Sequence, residues 1–316
     1  MAPETSKRKS AGFFSSASTF YLPGGRHFDP ETVRGYYIDN RVKADAPEWP
    51  VEWRANPEKQ LHVWLIQHAL GAYERWLDGD GEEWLDSAVR TGRHLVAEQQ
   101  PHGPLEGAFF HYAPFPHTYR LDPPWISSMG QGQAASLLVR LALETADDRF
   151  TEAAVKALQP LLVPVEAGGA LGDCAGAPLP QEYPTTPASH VLNGAIFTLW
   201  GIRDVALLTG GNERYDWFTA LRDRLHMWDT GWWSRYDLFP HPIANVASSF
   251  YHRLHVTQLR MTAVALDDPA WSEVADRWEA YEHERAFRRR ALMQKGAFRL
   301  VIPRNRFVGR RLPWTR

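Results

Sequence analysis

Apolar positions recur along this chain at helical spacing, and the helices they predict come in pairs. Leu61, Leu65, Ala69, Ala72 and Trp76 mark one face of a helix that Asn56-Pro57 would open, with proline at the first helical position. Gly79-Asp80-Gly81 ends it, and Trp84, Leu85, Ala88, Val89, Gly92, Leu95 and Val96 trace the next, capped by Asp80 or Gly81. Ser127-Ser128 starts a second pair through Leu137, Leu138, Leu141 and Ala142, and Asp147-Asp148 turns into Phe150, Ala154, Ala157, Leu158 and Leu161. The third pair runs from Ala188 through Val191, Leu192, Ala195, Ile196, Leu199, Trp200 and Val205. Gly210-Gly211-Asn212 then leads to Tyr215, Phe218, Leu221 and Leu225. A fourth spans 250–265, and Asp268-Pro269 opens its partner with Trp271, Val274, Ala275 and Trp278. First helices thus recur at a loose interval of about 60–70 residues, longer than ordinary solenoid repeats.

Polar positions divide the two members of each later pair. Between Ser127 and Thr145 the charges are Arg140 and Glu144, and between Ala188 and Gly210 they are Arg203 and Asp204. The partner that follows carries Glu213, Arg214, Asp216, Arg222, Asp223 and Arg224. A helix apolar all round is buried, whereas one with a charged face lies at the surface. First helices should therefore form an inner layer and second helices an outer one, curving into a solenoid or an α/α toroid. The fold class expected is mainly α: an incomplete α/α toroid or barrel of helical hairpins, with a short β-hairpin near 107–121 and aromatic rim loops.

Three long connections, 100–126, 164–187 and 228–249, are rich in proline, glycine and aromatic residues, including Tyr112, Tyr119, Trp125, Tyr183, Trp232, Trp233 and Tyr236. Long loops inside a compact domain carry function or are disordered, and these are too aromatic for disorder. If the helices alternate in direction, all three emerge at one rim. We expect a flexible tail over 1–30, the helical domain over 31–290, and a basic tail over 291–316 that is either solvated or contacts a polyanion.

Composition narrows the classes. A net charge of -2 gives no argument for nucleic acid, and 44% hydrophobic residues suffice for a sizeable core. Cys174 is the single cysteine, which excludes an intrachain disulfide and a Cys-based zinc site. The N-terminus lacks the sustained apolar run of a signal peptide and no window is long and apolar enough for a membrane span, so a cytoplasmic location is expected. The 14 tryptophans read mainly as core, with aromatic faces for sugar rings as the functional alternative.

Candidate chemistry concentrates at the rim: Glu182, Tyr183, Tyr236, Tyr251, His252 and His255. The spacing of His252 and His255 permits one helix face, but with no carboxylate beside them stacking or hydrogen bonding is favoured over a metal site. A free phenol ionises near pH ~10, so a tyrosine base needs a cationic neighbour. Arg235 and Arg253 are candidates. Equally, these tyrosines could line a carbohydrate cleft.

The ordered runs SSMGQGQAASLLVR, EYPTTPASHVLNG, DTG…YDL, YHRLHVTQL and WSEVADRWEAY, over 125–281, resemble the C-terminal catalytic domain of the D-glucuronyl C5-epimerase family. The resemblance implies an α/α toroid with a uronic-acid polysaccharide or oligosaccharide across one rim, no cofactor, no metal, and compatibility with a homodimer. It implies conversion of D-glucuronate to L-iduronate by removal of the C5 proton and reprotonation from the other face. Two-face chemistry needs two opposed proton-transfer groups and donors on the substrate carboxylate. By motif, Glu182 and Tyr251 would be the acid/base pair, with Tyr183 and Tyr236 assisting. Gln131, Gln133, Asn193, Arg235, His252, Arg253, His255, Gln258, Trp125 and Trp232 would contact substrate. The family's YDLRH reads here Tyr236-Asp237-Leu238-Phe239-Pro240, without the arginine. A polysaccharide lyase and a non-catalytic glycan binder are the alternatives.

Overall fold

The computed structural model describes residues 22–50, 53, 61–115, 117–211 and 215–303. The expected helix start at Asn56-Pro57 and the turn at Asn212 lie outside these, as do 1–21 and 304–316. Helix α1 covers His62–Leu77, and α2 covers Glu82–Glu98 after Gly81, whose φ of 128° suits only glycine. Both α3, Ser128–Thr145, and α4, Asp148–Ala157, start as their sequences predict. Ser127 Oγ accepts from Gly130 N at 3.2 Å, and Asp147 Oδ1 accepts from Arg149 N at 3.1 Å. Helices α5 and α6 are Leu192–Thr209 and Tyr215–Arg224. Next, α7, Ser249–Leu266, begins on a Ser248 cap, and α8, Pro269–His283, begins on Asp268 with proline at its first position.

Burial follows the charge pattern. Helix α3 is buried continuously from Ser128 to Ala142 and α5 from Leu192 to Ala206, whereas α4 buries Phe150, Ala153, Ala154 and Ala157 alone. Helices α1, α3, α5 and α7 contact one another in succession, while α2, α4 and α8 each cover the helix before them. The closest approach is between α3 and α5. A Cβ on Gly201 would sit 2.1 Å from the Gly132 carbonyl oxygen, and one on Gly132 would sit 2.5 Å from Thr198 Cα. Small residues at this crossing let the two backbones touch.

Two paired strands lie in the connections. Strand β1, Phe110–His111, pairs antiparallel with β2, Trp125–Ile126, around a further bridge between Phe115 and Leu121, so the hairpin closes a few residues beyond the limit expected. A second hairpin, β3 Leu171–Cys174 with β4 Ala177–Pro180, was not anticipated. Its turn places Ala175 and Gly176 at φ 50° and 81°. Cys174 is buried there, and burial pushes its thiol up to about 11, which suits a bystander.

Packing extends past the expected 31–290 limits at both ends. Leu22 is buried, Gly24 bridges Ile38, and Arg203 Nη2 donates to the Pro30 carbonyl at 2.5 Å, so 22–30 is anchored and not a tail. Tyr37 stacks on Trp200 with ring centres 4.3 Å apart and donates to Asp204 Oδ1 at 2.9 Å. Arg140 spans the same region: Nη1 meets Asp204 Oδ2 at 2.7 Å, and Nη2 donates to the Gly35 carbonyl at 2.6 Å. At the other end, 291–301 is part of helix α9, Arg285–Val301, which buries Ala291 and Phe298 and contacts α8. Hydrophobic periodicity in this basic segment was masked by its arginines. No helix among the described residues is long and apolar enough to cross a membrane.

Candidate active site

The second connection enters the site through a turn held by Gln181. Its backbone N donates to the Ala170 carbonyl at 2.7 Å and its carbonyl accepts from Ser128 N at 3.2 Å. Its side chain donates to the Thr185 carbonyl at 3.3 Å and accepts from Ser189 N at 2.6 Å. Ser189 Oγ donates to the Tyr183 carbonyl at 2.6 Å. These bonds use 188–190 to brace the turn, which is why α5 starts at Leu192 and not at Ala188. Glu182 and Tyr183 are fixed between them, and Glu182 lies against the first turn of α5: a Cβ on Gly194 would be 2.3 Å from Glu182 Oε2.

The other two connections close on the same place. Tyr236 N donates to the Asn245 carbonyl at 2.7 Å, and the Tyr236 carbonyl accepts from Leu192 N at 3.1 Å. Asp237 Oδ2 accepts from Tyr119 Oη at 2.6 Å and from Asn245 Nδ2 at 2.5 Å, with His241 Nε2 3.5 Å away. Tyr119 stacks on Tyr183 at 4.7 Å, and the Tyr183 ring also meets Phe115 at 4.7 Å and Trp125 at 5.8 Å. Tyr236 meets Tyr251, in the first turn of α7, edge-on at 4.8 Å. The Tyr183 phenol interacts with the side chains of both Glu182 and Tyr236. The adjacent Glu182 and Tyr183 therefore form one continuous group with Tyr236 and Tyr251, which are distant from them in sequence.

Electrostatics make this group unusual. Glu182 is 7% exposed and its Oε2 has no hydrogen-bond partner among the described residues. Burial, reinforced by the negative charge of Asp237 and opposed by Tyr183, pushes its carboxyl up to about 8. Burial and the nearby Glu182 also hold the Tyr183 and Tyr236 phenols well above 10. Near neutral pH the cluster is a store of protons: a carboxylic acid beside phenols, with Asp237 behind them. A carboxyl poised near the working pH can give a proton or take one.

Other residues singled out in the sequence fall elsewhere. Trp125 joins the cluster. Asn193 follows Leu192 in the first turn of α5, where its carbonyl accepts from Gln258 Nε2 at 3.0 Å, and Asn193 Oδ1 and Gln258 Oε1 are both buried without a hydrogen-bond partner among the described residues. Gln131 is a core strut, donating to the carbonyls of Gly107 at 3.0 Å and Ala157 at 2.7 Å and accepting from Phe109 N at 2.7 Å. Gln133 bonds Gln67 at 3.3 Å in the core. His252 and His255 both meet Ser234 Oγ, at 2.8 and 3.0 Å, and His252 stacks on Trp233 at 3.8 Å. They buttress the third connection, and burial lowers both imidazole pKa values. Arg253 pairs with Glu282 on α8, Arg235 buries an Nε with no hydrogen-bond partner among the described residues, and Trp232 lies under the Arg290 guanidinium at 4.2 Å. No group of three or more His, Cys, Asp or Glu side chains among the described residues could hold a metal ion.

Sequence reasoning missed two members of the site. Asp237 stood in the YDL motif without a role, and Asn245 carried no signal at all, because its part depends on the third connection folding back on itself.

Residues 106–280 match the family model described as D-glucuronyl C5-epimerase C-terminus. The chain belongs to this family. It is 33% identical over 182 residues to the D-glucuronyl C5-epimerase of Caenorhabditis elegans, a match covering 52% of this chain and 30% of that relative. The family segment contains the first connection from residue 106 onward, the other two connections and helices α3 to α7 entire, together with the four grouped residues, whereas α1, α2 and α9 lie outside it.

Proposed function

We propose that this protein is a uronate C5-epimerase, converting D-glucuronate to L-iduronate, or a closely related uronate pair, within a polysaccharide. The observation that carries this reading is the continuous group of Glu182, Tyr183, Tyr236 and Tyr251, in which a carboxyl poised near neutrality meets a file of phenols. Glu182 and Tyr251 are the two proton-transfer groups, one for each face of the sugar. One removes the C5 proton and the other returns a proton to the opposite face, so the net change is inversion with one proton exchanged. Removing that proton moves charge onto the substrate carboxylate, which the phenols of Tyr183 and Tyr236 stabilise by donating hydrogen bonds. Trp125, Phe115 and Tyr119 supply the aromatic wall against which a sugar ring would lie. The wider frame is an incomplete α/α toroid, supported by the succession of α1, α3, α5 and α7 within a partial outer layer.

Incubation with glucuronate polymers in heavy water tests the proposal. Deuterium should accumulate at C5, and no incorporation across several uronate polymers would overturn it. An unsaturated, ultraviolet-absorbing product would instead identify a lyase.

A further inference from the structure

Helix α9 lies beyond the family segment, yet it reaches the cluster. Lys295 Nζ donates to Asn245 Oδ1 at 2.7 Å and to the Val246 carbonyl at 2.8 Å, and sits 5.4 Å from the centre of the Tyr236 ring. Asn245 in turn donates to Asp237. Gln294, its neighbour on α9, donates to the Ala244 carbonyl at 3.0 Å, and Phe298, one turn further on, meets the His241 ring at 5.0 Å. Three successive residues of the third connection, 244–246, are therefore held by two side chains of α9. A flexible lysine is placed here by neutral oxygens, with its charge beside a phenol.

The neighbouring groups that act most on Tyr236 are Glu182 and Tyr183 from the second connection, Tyr119 from the first and Tyr251 from α7, all neutral or anionic. Arg253, one of the cations expected to serve this site, is committed to Glu282. Arg235, the other, is bridged to Val246 through its backbone. We infer that Lys295 is a positioning residue of this site: it orders the third connection and supplies the positive charge that lets Tyr236 carry negative charge during proton transfer. A positive charge held beside the ring favours the ionised form of the phenol over the neutral one.

The inference rests on the proposed epimerase reading, so the experiment separates the two. The full chain is labelled with a fluorotyrosine, whose phenol is more acidic, and titrated by fluorine NMR, with Tyr236→Phe assigning the resonance. Lys295→Gln, which keeps a donor and loses the charge, should raise the pH at which Tyr236 ionises by about one unit or more, and Lys295→Arg should restore it. Lys295→Met serves as a second neutral variant if Lys295→Gln does not fold. In the heavy-water assay the neutral variant should lose about tenfold or more in kcat with a smaller change in KM, while its alkaline limb moves upward. An unmoved Tyr236 titration in folded neutral variants overturns the Lys295 role, whatever the exchange assay gives. A moved titration without C5 exchange in the wild-type protein supports Lys295 and overturns the epimerase reading alone.

Discussion

Glu182 is a carboxylic acid placed where water cannot solvate its charge. Its folded-state value, about 8, lies above the 4.5 of an unperturbed glutamate. Between those two values the folded chain keeps a proton that the unfolded chain has released, so stability falls as pH rises through that window. Chemical denaturation from pH 5 to 9 should show this slope, and Glu182→Gln should flatten it and leave the variant more stable than wild type at the alkaline end. An equal slope in both proteins would refute the assignment. Tyr251→Phe keeps the ring edge on Tyr236 and removes the phenol oxygen. C5 exchange should drop by roughly 10²–10⁴-fold with an unchanged melting temperature. Retention of wild-type exchange would remove Tyr251 from the chemistry. At this scale the sequence was informative about identity and poor about environment. It singled out Glu182 and Tyr251, and the resemblance also implied substrate contacts for His252 and Gln131, whose side chains the structure buries in internal hydrogen bonds. A motif preserves a residue type for either reason, and burial with satisfied hydrogen bonds tells the two apart.

Helix α5 joins the site to the core, and its glycines mark both functions. Gly194→Ala would put a methyl group against Glu182, within 2.3 Å of Oε2 and 2.6 Å of Cβ. The carboxyl must move, so exchange activity should fall much more than the melting temperature does. Wild-type exchange by a folded Gly194→Ala variant would show that the position of Glu182 is not critical. Gly201→Ala has a different effect, because the atoms it meets are backbone atoms of Gly132 on α3. Separating two helices costs about 1–3 kcal/mol or more, read as a lower denaturation midpoint with the site chemistry intact in the folded fraction. An unshifted midpoint would contradict the observed crossing. The starts of α3, α4 and α8 were legible from local capping chemistry, and that of α7 from its apolar spacing. The start of α5 was not, since Ser189 is drawn into the Gln181 turn by contacts no local rule reports.

Across the whole molecule, the buried Arg140–Asp204 pair ties α3 to α5 and both to the N-terminal segment at Gly35 and Tyr37. Both partners are 1% exposed. Removing one leaves the other charged and buried, so Asp204→Ala should cost about 3–5 kcal/mol in equilibrium unfolding. A loss below ~1 kcal/mol would mean that water or a rearranged partner reaches Arg140. Since Arg140, Arg203 and Asp204 are the charges on otherwise apolar faces, the sequence already showed that they were exceptional. Their partners in 22–44 could not be read, because that segment had been assigned in part to a tail.

The hydrophobic period by itself determined a mainly helical chain in pairs, and the charge on each member determined which would be buried and which exposed. Both follow from side chains partitioning between water and an apolar interior, and need no knowledge of the partner. Ordered motifs named the family and singled out an acid and phenols that the fold brings together. Tertiary structure alone decided that three loops separated by tens of residues meet, that Asp237 and Asn245 stand behind the phenols, and that α9 brings Lys295 to Tyr236. Those facts depend on how the chain closes on itself. The pKa of Glu182 is of the same kind, because it is set by the water the assembled fold excludes and not by any neighbour in the sequence.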